Sequence, residues 1–191
     1  MISFRAFGTA VRISFSFLVF NALLFMVRDG REIFGFYTAC AVHEAGHAAA
    51  LALTGGRVTA VELSAAGILM DIRKNAVSPV LKSLSVLAAG PAANLILCAA
   101  LRAAGCGGAF PLLNLMAAAY NMLPYRCLDG GAIIALFTVG SVFERTANLL
   151  LTALKLSVIA AAGTTVFFCG RDALPLLFGS AVLFICDRTK K

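Results

Sequence analysis

Charged side chains are scarce in this sequence: Asp, Glu, Lys and Arg make up 13% of its 191 residues, about half the share usual in a soluble domain. Histidine is scarcer, at two per chain, and none of the six cysteines stands in CxxC spacing. That spacing argues against a disulfide framework and leaves most cysteines as small buried hydrophobes. Lys and Arg outnumber Asp and Glu by 16 to 9, for a net charge of +7. The basic residues nowhere form a dense cluster or stripe, which excludes nucleic acid as a partner. No small-x-small cleavage site follows the apolar stretch after Arg5 and Arg12. The N-terminus therefore reads as a retained span rather than a secretory signal.

What is abundant is apolar sequence, at 61% of residues with a mean hydropathy of +0.93. A soluble domain usually holds about 45–50%, and the apolar runs here are as long as a bilayer is thick. The reading is an integral, multi-pass membrane protein with the lipid bilayer as its surroundings. Its expected class is an all-α polytopic bundle of about six transmembrane helices. Breaks in hydropathy predict spans at Val11–Val27, Ile33–Leu53, Val80–Ala104, Ala109–Leu123, Ala147–Cys169 and Ala173–Cys186. Ten Lys and Arg then fall on the side that holds both termini and four on the other, which places both termini in the cytoplasm. Between Arg57 and Arg73, the β-prone runs Val58–Leu63 and Ile68–Arg73 flank Ala65-Ala66-Gly67, which predicts a small β-hairpin at the cytoplasmic surface. A single domain is expected over residues 1–191, with a catalytic core of about 33–131 and accessory helices at 11–27 and 147–187.

The second predicted span contains His43-Glu44-Ala45-Gly46-His47, an HExxH sequence that uses both histidines of the chain. On a helix, positions i and i+4 share a face, so both imidazoles can reach one metal ion. Glu44 follows the first ligand by one residue, off the metal and beside the attacking water, where a general base belongs. An ionisable group this deep in an apolar span marks function by default.

A catalytic zinc site takes three protein ligands and keeps one position open. With no third histidine, the ligand must be a carboxylate or a cysteine. Of the nine acids, only Glu44 and Asp129 fall in membrane-buried sequence. Asp129 sits in Asn121-Met122-Leu123-Pro124-Tyr125-Arg126-Cys127-Leu128-Asp129-Gly130-Gly131, where proline and paired glycines break the helix. Broken backbone at membrane depth survives where it is buried in protein or lines a wet cavity, and a hydrolase needs that water. Cys127 is the lesser alternative as ligand, and Cys40, one turn before His43, reads as a packing residue.

The chain resembles the site-2 protease family of intramembrane metalloproteases. The resemblance rests on His43-Glu44-x-x-His47, on Ala89-Gly90-Pro91-Ala92-Ala93-Asn94, and on Asn121-x-x-Pro124-x-x-x-Leu128-Asp129-Gly130, in the family's order. Cys127 stands where members commonly carry proline. The resemblance implies one zinc ion per chain, with His43, His47 and Asp129 as ligands and Glu44 as general base. It also implies that Asn94 helps hold substrate or a reaction oxygen; helix–helix hydrogen bonding is the lesser alternative. The length leaves no room for a PDZ-like insertion, and five residues follow Cys186, so no nucleotide-sensing tail is expected. The compact form is similar to the sporulation-type (stage IV protein FB-like) branch. By analogy this implies a bacterial cell membrane, a membrane-associated protein substrate such as a transcription-factor precursor, and membrane regulatory subunits.

The expected reaction is hydrolysis of a peptide bond in or near a membrane segment. A helical substrate hides its carbonyls, so an edge at Val58–Leu63 or Ile68–Arg73 is expected to receive an extended segment. The rival readings are a membrane transporter binding zinc or protons, and a catalytically inactive membrane scaffold. The transporter does not account for Glu44 beside the first histidine, and the scaffold does not account for four intact site residues.

Overall fold

The computed structural model of the chain describes residues 2–6, 9–27, 29–64, 67–73, 80–169 and 184. It divides into two compact units, residues 1–120 and 121–191. The sixth expected span, Ala173–Cys186, lies outside the described residues apart from position 184, as do several of the basic residues used to orient the chain.

The first unit opens with two strands, β1 (Ile2–Ala6) and β2 (Thr9–Ile13), and continues through helices α1 (Phe15–Val27) and α2 (Gly30–Leu53). Strands β3 (Arg57–Ser64) and β4 (Gly67–Arg73) follow, then helices α3 (Val80–Ala103) and α4 (Ala109–Asn121). The four strands form one sheet in the order β1-β2-β3-β4. The expected hairpin is present as the antiparallel pair β3–β4, running from Arg57 opposite Arg73 to Ser64 opposite Gly67.

Two expectations need correction. The first predicted span began at Val11, but Val11 lies in β2, opposite Phe4 of β1 and in parallel register with Val61 of β3. Arg5 and Arg12 alternate with Phe4, Val11 and Ile13, a period-two pattern that a helix cannot use. The sheet therefore has four strands where a lone hairpin was expected, and the fold is helical with a sheet rather than all-α. As a second correction, β3 is flanked by β2 and β4, so Val58–Leu63 offers no free edge; β4 is an outer strand.

Among the described residues, two helices, α3 and the Glu144–Thr165 part of the last helix, are long and apolar enough to cross a membrane. Helices α1 and α4 have 13 residues each, ~20 Å at 1.5 Å per residue, against the ~20 residues a span requires. Helix α2 has 24 residues but carries Arg31, Glu32, His43, Glu44 and His47. Both α2 and α3 stop by the same device. Gly55 and Gly105 take left-handed φ values of 82° and 75°. The next amide then reaches back across the last turn, Gly56 N–H to the Leu51 carbonyl and Cys106 N–H to the Leu101 carbonyl, each at 2.9 Å.

The polarity of the first unit is inverted relative to a soluble bundle. The buried residues of α3 are Gly90, Pro91 and Asn94, and those of α4 are Pro111, Asn114 and Ala118. Leu81, Ile96, Leu112 and Met116 of the same helices are exposed. Small and polar residues inside with aliphatic residues outside is the arrangement of helices that pack in lipid. Helix α1 is tied to α2 by a hydrogen bond from the Tyr37 hydroxyl to Asn21 Oδ1, beside the Phe17–Tyr37 edge contact.

Helices α2 and α3 approach closely at Gly46, which permits the contact. A Cβ at that position would stand 2.5 Å from the Ala89 carbonyl oxygen and 2.8 Å from Ala93 Cβ. Neither neighbour is the end of a flexible side chain, so the helices themselves would have to part. Gly46→Ala is expected to lower stability by about 1–3 kcal/mol, the usual cost of overpacking, measured by unfolding in detergent. Gly30→Ala, where nothing lies within 4 Å, is expected to leave stability within about 0.5 kcal/mol.

The second unit holds an irregular turn from Met122 to Leu128, then α5 (Asp129–Thr138) and α6 (Glu144–Cys169). Helix α5 lies between the fourth and fifth predicted spans, in sequence assigned to neither.

Candidate metal centre

Helix α2 presents His43 and His47 one turn apart, and both side chains are buried. Their Nε2 atoms lie 3.1 Å apart, with the rings nearly perpendicular at 85°. Which nitrogens carry protons follows from their other partners. His47 Nδ1 is 2.7 Å from the Val86 carbonyl oxygen of α3. That oxygen can only accept, so Nδ1 donates and Nε2 keeps its lone pair.

His43 Nδ1 is 2.9 Å from Asn94 Oδ1. The orientation of that amide is set by its other contacts. Asn94 Nδ2 donates to the Ala39 carbonyl and to Asn114 Oδ1, each at 2.9 Å. A backbone carbonyl cannot donate, so the nitrogen of Asn94 must face Ala39, and its oxygen must face His43. His43 Nδ1 is therefore also the donor. In the neutral rings the two Nε2 atoms, 3.1 Å apart, both carry lone pairs. Their lone pairs converge on common ground, as ligand nitrogens do when each ring is held from behind by an oxygen acceptor.

Room for the converging rings comes from Gly90 of α3. A Cβ there would stand 2.4 Å from His47 Nε2 and 2.9 Å from His43 Cε1. Glu44, partly exposed, follows His43 by one residue on α2. Asn94 was expected at the substrate. It is fully buried, and both its amide hydrogens are donated within the fold. It faces His43.

In the second unit, Asp129 is the first residue of α5, in a helix turn whose free N–H groups suit a negative charge. The chain reverses tightly before it. A Cβ at Gly130 would meet the Met122 carbonyl oxygen at 2.2 Å, and one at Gly131 the Tyr125 carbonyl oxygen at 2.1 Å. The paired glycines are thus what lets the turn fold back onto the helix start. Two contacts hold this turn to α6. Arg126 donates to Asn148 Oδ1 at 3.0 Å, and the Lys155 ammonium lies 5.5 Å from the centre of the buried Tyr125 ring.

His43 and His47 on α2 are candidate metal ligands, as is Asp129 on α5; neither Cys40 nor Cys127 is among them, and neither is in a disulfide. Sequence reasoning missed Asn114 and the Val86 carbonyl. Asn114 left one signal, a lone amide inside an apolar run. Val86 left none, because a backbone carbonyl carries no side-chain signature.

The fold is shared with a solved structure, the site-2 protease from Methanocaldococcus jannaschii, at a TM-score of 0.68 over 98% of this chain and 94% of that one, with 17% identity. This likeness in fold supports the resemblance drawn from the motifs. No protein-family model matches the chain, and no curated protein matches it in sequence.

The geometry makes Gly90 a sensitive position. Gly90→Ala is expected to weaken zinc binding at least tenfold, because its methyl takes the space in front of His47 Nε2. Zinc retained against a competing chelator at the level of the unmodified chain would refute that placement.

Proposed function

We propose that this chain is a zinc-dependent intramembrane endopeptidase of site-2 protease type, which hydrolyses a peptide bond in or near a membrane-associated segment of a substrate protein. The observation that carries this reading is the pair of Nε2 atoms, converging at 3.1 Å with each ring held from behind by an oxygen. His43, His47 and Asp129 would hold one zinc ion, leaving a position open. When bound, that ion supplies a Lewis acid for the scissile carbonyl and lowers the pKa of the attacking water.

The chain's own residues do the proton work. Glu44, one residue after the first ligand, would accept a proton from the water. It then returns that proton to the leaving amine nitrogen. The inverted polarity of the first unit supports a lipid setting, in which water reaches only a cavity lined by protein. Strand β4 is proposed to receive the substrate as an added extended strand, since a helix must unwind before its carbonyls can be attacked. The excess of Lys and Arg supports cytoplasmic termini.

Glu44→Gln keeps the size of the side chain and removes the base. It is expected to retain zinc while losing about 10²–10⁴-fold in cleavage of a co-expressed membrane-tethered substrate. Unchanged cleavage would sink the protease reading. Asp129→Ala is expected to lose both zinc and cleavage, so full zinc occupancy in that variant would remove Asp129 from the ligand set.

A further inference from the structure

Three helices of the first unit are joined by a chain of side-chain amides that ends on His43. It starts at α4, where Asn114 Nδ2 donates to the Phe110 carbonyl at 3.0 Å. That carbonyl can only accept, so Asn114 turns its oxygen toward α3, where it accepts from Asn94 Nδ2 at 2.9 Å. Asn94 in turn presents its oxygen to α2, where it accepts from His43 Nδ1 at 2.9 Å. Both asparagines are fully buried, at 0% exposure, so no water competes for these bonds.

We propose that Asn114 and Asn94 form a directional amide relay whose task is to fix the tautomer of His43, keeping its proton on Nδ1 and its lone pair on Nε2. Asn94 is then a positioning residue for the metal ligand, and Asn114 positions Asn94 from one helix further away. The proposal rests on the metal reading for its purpose, but the tautomer it assigns is a property of the metal-free chain. His47 serves as an internal standard. Its Nδ1 donates to the Val86 carbonyl, a bond in which neither asparagine takes part.

The chain's two histidines make this directly observable. With ¹⁵N-labelled histidine in the full-length, detergent-solubilised protein stripped of metal, ring-nitrogen shifts report which nitrogen of each ring is protonated. The unmodified chain is expected to show Nδ1–H for both rings. An Nε2–H tautomer at His43 would overturn the proposal with no variant needed. Asn114→Leu removes one of the two acceptors, the other being the Ala39 carbonyl, that hold the Asn94 amide in that direction. It is expected to turn His43 into a tautomer mixture while His47 stays Nδ1–H, which also shows that the fold is kept.

Asn114→Asp keeps an oxygen acceptor toward Asn94 and is expected to leave His43 as in the unmodified chain; a shift there would overturn the relay. A zinc titration against a chelator completes the test. Asn114→Leu is expected to bind about ten- to a hundredfold more weakly, the usual effect of losing an outer-shell partner, and Asn114→Asp to bind as the unmodified chain does. Equal weakening by both variants would mean that Asn114 acts by packing. If the unmodified chain shows the assigned tautomers yet binds no zinc, the relay stands and the metalloprotease reading fails.

Discussion

The Val86 carbonyl and the Asn94 amide oxygen each accept a hydrogen bond from an imidazole Nδ1, and neither oxygen can donate one. Both rings are thereby left with lone pairs on Nε2, and helical spacing puts those nitrogens on one face. The acceptors belong to α3 and the imidazoles to α2, so the arrangement exists only while the two helices lie very close. Gly46 opposite Ala89 and Ala93, and Gly90 opposite both rings, supply that closeness. A methyl group at either glycine would separate the helices or fill the space the nitrogens face. Ligand orientation and helix packing are therefore one constraint seen twice.

The same constraint accounts for the inverted polarity of the first unit. In water, burial of aliphatic side chains drives helices together. Here the buried residues of α3 and α4 include Asn94 and Asn114, while large aliphatic residues of the same helices are exposed. Helices surrounded by hydrocarbon gain little by hiding leucine. They associate through close backbone contact and interhelical hydrogen bonds. The amides at 94 and 114 thus serve packing and site geometry together.

Asp129 is positioned by different means. Paired glycines let the preceding turn fold back on the start of α5, and Arg126 and Lys155 fasten that turn to α6 through Asn148 and Tyr125. These two basic residues, set within apolar sequence, hold a loop. Their partners are an amide and an aromatic face, and each contact leaves a basic head group in polar or π-rich surroundings.

By itself, the sequence determined whatever depends on local spacing or on residue type. His43, Glu44 and His47 were legible because five residues on one helix decide which groups share a face. Asp129 was legible because so few acids lie in apolar sequence, and the β3–β4 hairpin because its strands are adjacent in the chain. Tertiary structure decided whatever depends on partners distant in sequence. Val11 pairs with Val61 across fifty positions, so a β-strand read locally as the beginning of a span. Asn94 read as a substrate contact, with a packing amide as the lesser alternative, and only backbone carbonyls such as that of Ala39 decide which way its oxygen points. A hydrogen bond's direction is set by the group that cannot donate, and in this protein those groups are backbone atoms, which no side-chain pattern announces.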